Sequence, residues 1–201
     1  MRASLEKWGA AVAALGALAV VRARAEAPAA EPDDMAIGNR KAKVTVIEYA
    51  SVGCPHCAKW SNEVFPAFKA KYVDSGKARF VVRECLTGDP DLAAAGFLLA
   101  RCAGPARYFK VIDEIYRRQE EIYQSGAVLR QVAIDAGLSD KAYTACLSDK
   151  AALDALQARA QRHVDVDKVT GTPTFDINGR RLENYLTLEQ LDTAIAAAKT
   201  K

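Results

Sequence analysis

Val44-Thr-Val-Ile-Glu-Tyr-Ala50, then Ser51-Val-Gly53, then Cys54-Pro-His-Cys57-Ala-Lys-Trp60, is the stretch that decides how this chain folds. Its first seven residues are rich in β-branched and aromatic side chains and read as a strand. From Ala58 to Val73 the apolar positions Trp60, Val64, Phe65, Phe68 and Tyr72 fall near one helical face. Pro66 is expected to kink that helix, and Ser75-Gly76 to end it. Ala78 to Leu86 then reads as a second strand. The result is β-α-β with two cysteines at the strand-to-helix turn.

That position suits thiol chemistry. A thiolate is the nucleophile in disulfide exchange, and an ordinary cysteine keeps its proton near neutral pH. The first turn of a helix carries unpaired N–H groups and the positive end of the macrodipole, both of which favour an anion. Pro55 fits this turn, where its missing N–H costs nothing. His56 stands beside both sulfurs and, when protonated, would add positive charge. Cys54 is expected to be the exposed nucleophile and Cys57 the more buried resolving thiol. A half zinc site is the competing reading. It would need a second C-x-x-C or a nearby pair of histidines, and the chain has only 2 His.

Towards the other end, Phe175-Asp-Ile177 and Arg180-Arg-Leu182 flank Asn178-Gly179, a strong two-residue hairpin signal. Thr187-Leu-Glu-Gln190 has a capping-box pattern, and Leu188, Leu191 and Ile195 give the following helix its apolar stripe. The chain ends therefore read β-α-β and β-β-α. The segment between them is helical. Asp91 to Ala103 is rich in Ala and Leu and stops at Gly104-Pro105. Tyr108, Ile112, Ile115, Ile122 and Tyr123 keep helical spacing, as do Leu129, Val132 and Ala133. Ser139 can cap a short helix running through Cys146, and Leu153, Leu156, Ala160 and Val164 mark the last one. His163 falls at the edge of that stripe and reads as a packed or half-exposed side chain.

The N-terminus reads as targeting. Arg2 and Lys7 precede an uncharged run, Trp8 to Val21, which is short for a membrane span and suits a signal peptide. Ala23-Arg24-Ala25 offers a cleavage site, so residues 1–25 are read as a signal peptide, with a retained membrane anchor as the second choice. Residues 26–36, rich in Ala, Pro, Glu and Asp, are read as a flexible leader. Of 201 residues 50% are hydrophobic, which excludes a disordered chain. The net charge of +3 is too small and mixed to suggest nucleic acid as a partner. It vanishes once residues 1–25 are removed, because they hold four basic residues and one acid.

Cys54-Pro-His-Cys57 after a strand, together with Thr172-Pro173 before an Asn-Gly hairpin, resembles the exported DsbA-like thiol:disulfide interchange family of bacteria. The likeness runs from about Ile37 to Lys199. It implies an α/β thioredoxin-like fold formed by residues 37–86 and 170–201, with a helical subdomain, residues 87–169, inserted. It implies Cys54, Pro55, His56 and Cys57 as the catalytic tetrad. It implies a cis Pro173 against the dithiol, with the Thr172 backbone free to pair with an extended substrate. Many strongly oxidising members carry Val before this proline. Thr172 instead brings a hydroxyl that could donate to the thiolate or hold substrate differently. Glu48 corresponds to an acid that the family holds near the resolving cysteine, where a buried carboxyl can exchange a proton with Cys57. A salt bridge from Glu48 to Lys59, or an exposed edge position, is the alternative.

Related sequences often carry a second disulfide in the insertion, at positions resembling Cys102 and Cys146. Cys85 is then left over, as a buried small residue or as a partner for Cys102 or another chain. The implied function is a periplasmic enzyme that introduces disulfides into thiol-containing exported proteins and is reoxidised by a quinone-linked membrane protein. It is expected to work as a monomer with no metal or organic cofactor. Disulfide isomerase or reductase is the second reading. A copper or zinc chaperone is the third, and the count of 2 Met argues against it.

Overall fold

The structure is a computed structural model, and it describes residues 31–199. The expected signal peptide, residues 1–25, and residues 26–30 of the expected leader lie outside the described residues. Five strands form one mixed sheet. They are β1 (Met35–Gly38), β2 (Val44–Ala50), β3 (Ala78–Glu84), β4 (Thr174–Ile177) and β5 (Arg180–Glu183). Their spatial order is β1-β3-β2-β4-β5. β2 and β3 are parallel, and the other pairs are antiparallel. β2 is therefore interior, and its residues are buried almost throughout, as expected of a strand covered on both faces.

The connection from β2 to β3 is a helix in three pieces. α1 (Pro55–Glu63) is followed at Val64 by α2 (Phe65–Phe68) and a π-helical turn, Lys69–Val73. The break falls where Pro66 removes a backbone donor. Trp60, Phe65, Phe68, Phe80 and Phe175 pack as one aromatic cluster on this face of the sheet, with Trp60 and Phe175 centroids 4.8 Å apart. The Trp60 indole N–H donates to the Leu186 carbonyl at 3.0 Å, which ties α1 to the segment before the last helix, α9 (Leu188–Lys199).

Six helices separate β3 from β4: α3 (Pro90–Cys102), α4 (Tyr108–Arg117), α5 (Gln119–Gln124), α6 (Gly126–Asp135), α7 (Asp140–Leu147) and α8 (Lys150–Asp165). Local rules set several of their ends. Asp89 caps α3 by accepting from the N–H groups of Asp91 and Leu92, and Ser139 caps α7 by accepting from Ala142. Thr187 and Gln190 form the reciprocal bonds of a capping box at α9. Asn178 and Gly179 both take positive φ in the β4–β5 turn, as a two-residue hairpin requires. Among the described residues no helix is long and apolar enough to cross a membrane.

Three expectations need correction. The leader does not stay free to residue 36, because Met35–Gly38 is an edge strand on β3. Upstream of it, Asp34 and Glu31 pair with the Arg83 guanidinium at 3.1 and 3.2 Å. The Arg83 side chain is 1% exposed, and a buried cation demands carboxylate partners. Val164 does not belong to the inward stripe of α8 and is 52% exposed. His163 takes the inward place, at 3.1 Å from Asp167 and edge-on to the Tyr49 ring. Finally, the helical run from Tyr108 to Tyr123 is interrupted at Arg118, which separates α4 from α5.

Candidate active site

Cys54 is the N-cap residue of α1, in extended conformation, and Pro55 occupies the first turn. Two glycines make this loop possible. A side chain at Gly53 would meet the Asp89 carbonyl oxygen at 2.0 Å, and one at Gly88 would meet the Gly53 oxygen at 2.1 Å. Gly88 also has φ +73, which favours glycine. The two backbones lie so close that the Asp89 N–H donates to the Gly53 carbonyl at 2.9 Å. The loop is braced again from the inserted helices. Gln119 donates to the Val52 carbonyl at 2.8 Å, and the Tyr123 hydroxyl donates to the Gly53 carbonyl at 3.0 Å.

The Thr172–Pro173 peptide bond is cis, and it brings the Thr172 carbonyl over the dithiol. The Cys54 thiol donates to that carbonyl at 3.5 Å. This cover corrects the expectation of an exposed nucleophile: Cys54 is 6% exposed and Cys57 is fully buried. The order of exposure is as expected, but little of the Cys54 surface is accessible. Pro55 and His56 are exposed beside it. What His56 brings to the Cys54 sulfur is its backbone N–H. The N–H groups of the first turn thus act directly on the Cys54 sulfur.

The two thiols have opposite electrostatics. Cys54 is pushed down to about 5, first by the hydrogen bond from the Cys57 thiol, and further by the Thr172 side chain and the N–H groups of Cys57 and His56. Cys57 is pushed well up by burial, by its hydrogen bond to Cys54 and by the nearby Glu48. One sulfur is poised to carry the charge and the other to hold a proton.

Glu48 points from β2 into the aromatic side of the sheet and is 3% exposed. Its carboxyl is pushed up to about 8 by burial first and by the Cys54 charge second. It makes no bridge to Lys59, and its Oε1 has no hydrogen-bond partner among the described residues. Glu48 and Tyr116 both line a cavity of about 10 Å³, and the Tyr116 hydroxyl is likewise unpartnered. Such a cavity has room for about one water molecule and none for a substrate.

Cys102 and Cys146 are joined between α3 and α7, with an S–S length of 2.05 Å. Cys85 is a free, buried thiol just past β3, pushed up to about 12 by burial. Sequence reasoning missed Thr87, Tyr116, Gln119 and Tyr123, which reach the site from elsewhere in the chain. No periodicity or motif marks them, because their roles depend on how the inserted helices dock.

A family model described as Thioredoxin matches residues 30–197. A Rickettsia bellii protein, provisionally named a protein-disulfide oxidoreductase, is 34% identical over 178 residues, covering 85% of this chain and 68% of its own length. A Rickettsia typhi protein with the same provisional name is 35% identical, covering 83% of this chain and 62% of its own. The chain spans about two thirds of the length of these curated relatives. Among solved structures, Wolbachia pipientis alpha-DsbA1 matches with a TM-score of 0.76 at 24% identity, covering 85% of this chain and 95% of that one. Chlamydia trachomatis DsbA matches at 0.71 and 17% identity, covering 86% and 95%. At these identities the likeness is one of fold. The chain belongs to the thioredoxin family and has the fold of the DsbA proteins, in which a thioredoxin-like sheet carries helices between its two halves.

Proposed function

We propose that this protein is an exported protein thiol:disulfide oxidoreductase that works as a disulfide-forming oxidase through Cys54 and Cys57. The observation that carries this reading is the asymmetry of the pair, with Cys54 pushed down to about 5 and Cys57 pushed up. The names of the Rickettsia relatives and the DsbA-like fold support the reaction class. In the oxidised enzyme a substrate thiolate attacks the Cys54 sulfur. The Cys54–Cys57 bond breaks, and Cys57 leaves with the electron pair and takes up a proton. Glu48, protonated at neutral pH and close to Cys57, is the group suited to supply it. A second substrate thiolate then attacks the substrate sulfur of the mixed disulfide. Cys54 leaves as a stabilised thiolate, the substrate holds a new disulfide, and the enzyme keeps the two electrons as a dithiol. The Thr172 carbonyl, beside the sulfur on the cis-proline loop, can accept from an extended substrate backbone.

Residues 1–25 would direct export to the periplasm, residues 87–169 would serve as the inserted helical unit, and a membrane redox protein would remove the electrons. A stabilised Cys54 thiolate favours the reduced enzyme, raising its potential by up to ~30 mV per unit of pKa. Equilibration of the purified protein with glutathione tests this reading. An oxidase should settle near about −120 mV, whereas a value near about −270 mV would establish a reductase. Isomerase activity is the second reading, favoured by the Thr172 hydroxyl next to Cys54. It predicts an intermediate potential and rescue of a scrambled disulfide substrate.

A further inference from the structure

Thr87 has no part in the reaction as described above, yet its side chain is hydrogen-bonded to that of Thr172. The two hydroxyl oxygens are 2.5 Å apart, although the residues are 85 positions apart in sequence. Thr172 in turn touches Cys54 twice, through its carbonyl at 3.5 Å and through its side chain. Thr87 is itself held in place. Its carbonyl accepts from the Ser51 hydroxyl at 2.8 Å, and the Ser51 oxygen accepts from the Gly53 N–H at 3.2 Å. The Asp89 N–H closes the loop on the Gly53 carbonyl. The close approach of Gly53 and Gly88 leaves this segment no room to shift.

Two hydroxyls in one hydrogen bond have a single choice to make. Either Thr87 donates and the Thr172 proton is released for another acceptor, or Thr172 donates and its proton is spent. A thiolate is a charged acceptor and a disulfide sulfur a weak one. We propose that Thr87 is a positioning residue that sets the direction of the Thr172 O–H, so that this proton points to the Cys54 thiolate in the reduced protein and turns back to Thr87 when Cys54 is disulfide-bonded. Donation from Thr87 also polarises the Thr172 hydroxyl and makes it a better donor. The reduced state gains a bond that the oxidised state lacks, so the pair of threonines shifts the redox balance towards the dithiol. The inference rests on Cys54 as the exchanging sulfur in the proposed function.

The variant Thr87→Val keeps the shape and removes the hydroxyl. Ultraviolet titration of its Cys54 thiolate should show an acid dissociation constant about twofold to threefold smaller than the parent's, because the Thr172 hydroxyl loses its polarising donor. Its equilibrium with glutathione should move towards the disulfide by the same factor. Thr87→Ser should restore both. Thr172→Val should lose more, because it removes the donor itself, and the double variant Thr87→Val/Thr172→Val should be no worse than Thr172→Val alone. A Thr87→Val titration that is unchanged, or shifted the other way, overturns the proposal, as does a double variant whose losses add. A merely structural role would lower unfolding stability in both redox forms and leave the titration alone. If Cys54 of the parent exchanges with glutathione normally while Thr87→Val changes nothing, only this inference fails. If Cys54 exchanges with nothing, the proposed function fails first.

Discussion

Two buried acids stand on neighbouring central strands and have opposite surroundings. Glu84, at the end of β3, is 2% exposed and accepts from Arg101 at 2.7 and 2.9 Å, from Arg159 at 3.1 Å and from the Tyr108 hydroxyl at 3.0 Å. Glu48, on β2, is 3% exposed, has no cation paired with it among the described residues and leaves one oxygen unpartnered there. Each acid even has a buried tyrosine from α4 nearby, Tyr108 in one case and Tyr116 in the other. One tyrosine is bonded and the other is not. Burial is the same, so partners make the difference. A carboxylate held by two guanidinium groups is a fixed joint between β3, α3 and α8. A carboxyl with none keeps its proton to about pH 8 and can give it up.

The contrast can be broken first at Glu84. Glu84→Ala leaves Arg101 and Arg159 facing each other without their anion, and should lower unfolding stability in urea by about 3 kcal/mol. The partial exposure of both arginines, 25% and 17%, keeps the loss at the low end of the range for a broken buried pair.

Glu48→Gln should act through pH instead. In the native state Glu48 stays protonated to about 8, while in the unfolded chain it ionises near 4.5. Between these values the unfolded state binds fewer protons, so the Glu48 contribution falls as pH rises, by roughly 1.4 kcal/mol per unit at full slope. Cys54, lowered to about 5, contributes in the opposite sense over an overlapping window in the reduced protein. The reduced parent should therefore have a nearly flat stability profile from pH 5 to pH 8. Glu48→Gln should uncover the Cys54 contribution and rise with pH. A parallel pair of profiles would place Glu48 among the ordinary acids.

The smallest effects come from the two tyrosines and sharpen the comparison. Tyr108→Phe removes a hydrogen bond to a charged group and should cost about 2 kcal/mol. Tyr116→Phe removes a hydroxyl that bonds nothing among the described residues, and should fall within about 0.5 kcal/mol of the parent. Equal losses in thermal or urea unfolding would mean that the two environments are alike after all.

The legible parts of the molecule are those governed by neighbours in sequence. The β2 strand, the dithiol at a helix start, the Ser139 cap, the Asn178-Gly179 turn and the capping box at Thr187 each depend on a few adjacent residues. What escaped depends on distant partners. Met35–Gly38 is four residues with acids just before it, and only pairing with β3 makes it a strand. Whether Val164 or His163 turns inward on α8 is settled by Asp167 and the Tyr49 ring. At the site, Cys54, Cys57 and Glu48 could be singled out by type and place, and Glu48 could be separated from Glu84 only once Arg101, Arg159 and Tyr108 were seen to converge on one of them. The cover over Cys54 likewise comes from a loop 118 positions away.

The anchoring of Glu31 and Asp34 on Arg83 changes where the autonomous folding unit begins. Judged by where the family likeness begins, a minimal fragment would start at Ile37. Trimming there by a protease or by recombinant truncation would remove both carboxylates and half of β1, and would leave a guanidinium that is 1% exposed with fewer partners against Tyr49 and Asp167. The few residues that resemble a disposable tether between a leader and the enzyme therefore belong to the enzyme's own hydrophobic and ionic interior. The true boundary for cutting or fusing this protein lies ahead of Glu31.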